Sequence, residues 1–156
     1  MQTDTILRKE MTALLRGGQA HMGWKAMDDF PAEHYNSQAP NVDYSFWHLL
    51  EHIRLAQRDI IEFIQDPDYR ERQWPQDFWP PKAALCTAQS WIATCEEIKN
   101  DLRMVEDLVN DDGIDLNSEI PLHPEYSYLR EILLIADHNA YHLGEFSILR
   151  QVMGLW

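Results

Sequence analysis

Four stretches of the chain carry apolar residues at helical spacing. In the first, about Thr3 to Arg16, Leu7, Met11, Leu14 and Leu15 fall at i, i+4, i+7 and i+8, and Gly17-Gly18 closes the pattern. A short helix over about Trp24 to Phe30 precedes Pro31. The second begins after the N-cap Ser45 and runs to Gln65, where "DPD" stops it. On its wheel Phe46, Leu49, Ile53, Ala56, Ile60 and Ile64 share the core direction, while Glu51, Arg54, Arg58 and Glu62 cluster opposite, toward water. The third, from about Thr87 to Asn110, carries Trp91, Cys95, Ile98, Leu102, Val105 and Val109 in a 4-3-4-3-4 heptad stripe. The fourth, from about Ser127 to Met153, has few polar residues on any face, so it is expected to be largely buried.

No segment carries a strand signal. Between the second and third helices, "DPDYRERQWPQDFWPPKAAL" is too rich in proline for a regular helix or a central strand. It reads as an ordered loop whose Trp74, Phe78 and Trp79 cover one end of the core. The expectation is therefore an all-α four-helix bundle with a long crossover loop between helices 2 and 3. A length of 156 residues suits a single domain spanning 1–156 with one hydrophobic core.

Charge narrows the partners. A formal net charge of −13 repels phosphate backbones and anionic lipid surfaces, which argues against nucleic acid and against a membrane. The N-terminus lacks the basic and apolar regions of a signal peptide, and no apolar run reaches membrane-spanning length. Two cysteines, Cys86 and Cys95, without a CxxC, fit inert thiols in a reducing compartment, so the expected location is cytoplasmic.

The chemistry lies in the histidines. Seven histidines placed at random would give well under one H-x-x-x-H pair, yet the chain has two: His48/His52 in helix two and His138/His142 in helix four. Residues four apart share a helix face. Around His138 and His142, Leu134, Tyr141, Glu145 and Leu149 fall on the same side. Imidazoles on such an apolar face need partners. Those partners are either neighbouring side chains or a shared metal ion. A third histidine from helix two would complete a three-nitrogen face with an open position for water or substrate. On the helix-two wheel His52 lies about 80° from the core direction and His48 about 120°, so His52 is the expected ligand and His48 a surface or rim residue.

The remaining residues carry alternatives. Glu145 orients a ligand, acts as a general base, or is a rim carboxylate. Tyr141 donates a hydrogen bond to a substrate or is core. His21 lines the pocket or sits in a loop, and His34 and His123 read as exposed loop residues. Trp74 and Trp79 cap a substrate pocket or cover the core. A di-metal carboxylate site is disfavoured, because no Glu-x-x-His occurs.

"WHLLEHIRLAQRDIIEF" followed much later by "LREILLIADHNAYHLGEFSILRQ" resembles the DinB-like (damage-inducible, YfiT-like) superfamily, and "LLRGGQAHMGWKAMDDFPAEHYN" and "WPQDFWPP" also look like members of its metalloenzyme branch. The resemblance implies a four-helix bundle, often homodimeric, with one divalent metal ion, nickel or zinc most commonly and iron as a further candidate. It implies His52, His138 and His142 as the ligands. It also implies a metal-dependent enzyme such as a thiol-dependent S-transferase, in which the metal activates a small-molecule thiol toward an electrophile. A hydrolase-like activity and a non-catalytic metal- or ligand-binding bundle stay open beside it. The nearly all-round apolar surface of helix four independently suggests a homodimer.

Overall fold

The computed structural model describes residues 2–17 and 23–156, so His21 lies outside the described residues. Among them are four long helices: α1, Gln2–Leu15; α2, Phe46–Gln65; α3, Ala88–Asn110; and α4, Tyr128–Val152. Each long-helix boundary falls within a residue of the sequence expectation, because capping chemistry fixes the ends. Ser45 Oγ accepts from the His48 backbone N–H, Thr87 and Ser90 form a reciprocal capping box, and Ser127 Oγ accepts from the Arg130 N–H. Gly17, at φ +99°, ends α1, and a Cβ there would lie 3.1 Å from Gly23 Cα, so both the turn and the close approach require glycine. The short helix expected near Trp24 is a 3-10 turn at Gly23–Ala26, with others at Ala32–His34 and Gln76–Phe78.

α2 packs against α3 and α4, and α1 against the same two helices. The heptad stripe of α3 faces inward: Trp91, Ile98, Leu102, Val105 and Val109 are buried and Cys95 is half-buried. They meet Leu49, Ile53 and Ile60 of α2 and Ile132, Ile135 and Phe146 of α4 in one core cluster. Phe30, Phe46, Phe146, Trp91 and Tyr35 stack together within it.

Four expectations are corrected. The charged side of α2 does not face water. Arg58 pairs with the fully buried Asp101, Arg54 lies 3.0 Å from Glu97, and Glu51 accepts from Thr94 at 2.5 Å, so this side is an ion-paired seam against α3. A helical wheel records polarity but not whether a polar neighbour waits opposite. α1 also leaves Leu14 half exposed. Strands do occur. Glu119–Ile120 and His123–Ser127 pair antiparallel just before α4. Two residues on one side are too few to leave an alternating pattern, and "HPEYS" on the other is polar. Finally, His34 and His123 are half-buried rather than exposed; His123 stacks on Phe63 with ring centroids 3.7 Å apart.

Residues 66–87 between α2 and α3 are irregular apart from the 3-10 turn. Their anchors are specific. Arg72 reaches Asp59 at 3.2 Å and Glu62 at 2.9 Å, and the Tyr69 hydroxyl donates to Asp59 at 3.1 Å. These contacts hold the segment against α2, which matters for the site below.

Candidate metal centre

α2 contributes His52, and α4 contributes His138 and His142 one turn apart. His52 Nε2 lies 3.3 Å from His138 Nε2 and 3.2 Å from His142 Nε2. One ligand atom from each of the three lies within 4.8 Å of the others, and among the described residues this is the one such cluster of histidine, cysteine or carboxylate groups. A tetrahedral ion with bonds of about 2.05 Å separates its ligand atoms by roughly 3.3 Å. The two shorter spacings match that figure.

The outer nitrogens set the tautomers. His52 Nδ1 lies 2.8 Å from the Phe78 carbonyl, which can only accept, so Nδ1 carries the hydrogen. His142 Nδ1 lies 2.7 Å from Glu145 Oε2 and donates to that carboxylate. Burial opposes ionisation of Glu145, but hydrogen bonds from His142 and Tyr44 outweigh it and hold its pKa below the usual value. Both Nε2 atoms are therefore left with lone pairs, 3.2 Å apart and facing one another. His138 can bring at most one hydrogen to this junction. The arrangement is repulsive unless a proton or a shared cation sits among the three nitrogens, and the donor set fits a divalent metal ion.

Burial reinforces this. It lowers the pKa of His52, helped by the neighbouring His142. It lowers that of His138 further, to about 3, with His142 and His52 adding to the effect. Both rings are thus held neutral, the form that ligates. His138 Nδ1 is buried without a hydrogen-bond partner.

The surroundings come from three segments. Trp79 lies flat on His52, with ring centroids 4.1 Å apart and planes 4° from parallel. Trp74 contacts the same imidazole edge-on and is itself 68% exposed, so it does not cover the core. Tyr141 meets His142 edge-on at 4.8 Å and is 71% exposed, which removes the core alternative for it. Glu145 is half-buried, with one carboxylate oxygen engaged by His142 and the other by the Tyr44 hydroxyl. Its place behind His142 is that of an orienting group.

His48 stands apart from the cluster but is not a surface or rim residue. It is buried, its Nδ1 lying 2.6 Å from Ser45 Oγ and its Nε2 3.1 Å from the Pro81 carbonyl. The wheel missed this because the cover comes from the irregular 66–87 segment, not from a helix. Two further members of the site left no pattern in the sequence: Tyr44, in a loop just before the α2 cap, and the Phe78 carbonyl, a backbone group.

A cavity of about 640 Å³, lined by Tyr44, His48, Trp79, Pro75, Pro80 and Pro81 among others, shares Tyr44 and Trp79 with the surroundings of the centre but none of its three histidines. Another of similar size lies between α1 and the end of α3, away from the centre. Burial raises the thiol pKa of Cys86, and that of Cys95 up to about 11, so neither is a ready nucleophile. Among the described residues no helix is long and apolar enough to cross a membrane.

Fold and site together define a mostly helical protein with a three-histidine centre that can hold a metal ion. Comparison with protein-family models, curated proteins and solved structures gives no match.

Proposed function

We propose that the chain is a DinB-like metal-dependent enzyme, a thiol-dependent S-transferase acting on small electrophiles. In this reading the helices form a four-helix bundle with residues 66–87 as the crossover. The observation that carries it is the convergence of three Nε2 atoms, two of them on rings whose other nitrogen is already engaged as a donor. His52, His138 and His142 hold one divalent ion, nickel or zinc, with iron as a further candidate. A bound ion supplies Lewis acidity, lowering the pKa of a coordinated thiol.

The chain's own residues do the rest. Three protein ligands leave a coordination position for a small molecule. Glu145 holds the His142 ring in its ligating orientation. Tyr141, exposed beside His142, donates a hydrogen bond to the incoming electrophile. The cavity at Tyr44 and Trp79 receives the electrophile's apolar part. The thiol comes from solution, because burial keeps both cysteines protonated. Exposed Leu133, Leu134 and Ile148 on α4 support a homodimer. A monomer at every concentration in sedimentation would reject that assembly.

The test is to strip the protein of metal, reload it with zinc or nickel, and assay a panel of small thiols and electrophiles. Conjugation that requires both metal and thiol is the expected result. A rate indifferent to metal across the panel would reject the transferase and leave a non-catalytic metal-binding protein.

A further inference from the structure

Glu145 is not positioned by His142 alone. Its second oxygen accepts a hydrogen bond from Tyr44, a residue far away in sequence, in the loop that precedes α2. Tyr44 is itself held on two sides. Its ring meets Trp79 at 5.2 Å, and the next residue, Ser45, caps α2. Burial, with the Glu145 contact, raises the Tyr44 pKa, so the hydroxyl remains a donor.

From this geometry we infer that Tyr44 is a positioning residue for the metal centre, acting through Glu145 on His142. The inference rests on the metal-site reading above. A carboxylate on a helix has several staggered rotamers, and a ligand-orienting carboxylate is useful only in the one that meets the imidazole. The His142 contact alone leaves the other oxygen free to rotate toward water. The Tyr44 hydroxyl supplies a second, fixed point, and two points define the carboxylate plane. Tyr44 also lines the 640 Å³ cavity, so one residue borders the space assigned to substrate and, through its hydroxyl, the centre.

Tyr44→Phe removes the hydroxyl and keeps the ring against Trp79. Zinc affinity, measured by chelator competition, should weaken by roughly tenfold, the low end of what outer-shell losses cause. The visible spectrum of the cobalt-loaded protein should shift, while the melting temperature of the metal-free protein stays close to wild type. In a Glu145→Ala background, Tyr44→Phe should cost nothing further, because its route to the metal is gone. Unchanged zinc affinity and cobalt spectrum in the single variant would overturn the inference, as would an equal loss in the Glu145→Ala background.

A metal-free readout separates this from the site reading itself. The imidazole nitrogen resonances of His142 should report a dominant Nδ1-protonated tautomer in the wild type and a mixture in Tyr44→Phe. That change supports the positioning role even if the wild type were to bind no metal, a result that would sink the metal-site reading alone. Identical tautomer populations in the two proteins would overturn the positioning role.

Discussion

Trp79 lies parallel to His52 at a centroid distance of 4.1 Å, which makes an indole the immediate neighbour of a candidate metal ligand. Because Phe78, the residue before it, accepts the His52 Nδ1–H, the 66–87 segment fixes that imidazole both in its plane and over its face. A paramagnetic ion among the three nitrogens should therefore quench Trp79 emission. Titration with cobalt or nickel is expected to dim the tryptophan fluorescence, and Trp79→Phe to remove most of that change. Because Trp74 also touches His52, an undiminished quench in the Trp74→Phe/Trp79→Phe double variant is the result that would mean the ion binds elsewhere.

The two histidines of α2 should separate cleanly. His52→Ala removes a ligand and should weaken metal binding by more than roughly a hundredfold, beyond the usual cost of losing an outer-shell partner. His48→Ala should leave affinity nearly unchanged but destabilise the fold by about 1–3 kcal/mol, since Ser45 and the Pro81 carbonyl lose buried partners. Chelator competition and urea unfolding on both variants check the pair.

Acid should destabilise the metal-free protein through the same rings. The pKa of His138 falls from 6.5 to about 3 on folding, and that of His52 also falls, both chiefly by burial. Below pH 6.5 the unfolded chain takes up protons that the folded chain refuses, so stability is full above that value and declines as pH drops toward about 3. Raised pKa values at Asp59 and Asp101 act the other way, but only near the carboxylate range. Melting temperature is thus expected to fall between pH 7 and about 5, and His138→Leu should flatten the slope.

The Arg58–Asp101 pair gives a test of the α2–α3 seam. Arg58→Ala removes the ion-pair partner of the fully buried Asp101, leaving only the more distant charge of Arg54, and should cost about 1–3 kcal/mol. Were Arg58 a water-facing residue, as its wheel position suggests, the same change would cost no more than about 0.5 kcal/mol. Denaturant unfolding distinguishes the two.

These cases show where the sequence is legible. Helix ends are, because Ser45, Thr87, Ser127 and Gly17 act on backbone groups a few residues away. The two histidine-bearing faces are, because spacing on a helix sets direction. The placement of His48, the α2–α3 ion pairs and the Tyr44 contact depends instead on which irregular or distant segment arrives opposite. Tyr44 and Glu145 meet through the fold alone, and neither residue's local pattern marks the pairing.

The proposed function stands on His52, His138 and His142 binding one divalent ion together. Native mass spectrometry of protein prepared without metal-affinity chromatography, then reconstituted with zinc, addresses it directly. The expected result is a mass increase of one ion per chain that survives mild chelation and disappears in His52→Ala, His138→Ala and His142→Ala alike. No retained ion, two tightly held ions per chain, or one ion that persists in all three variants would contradict it.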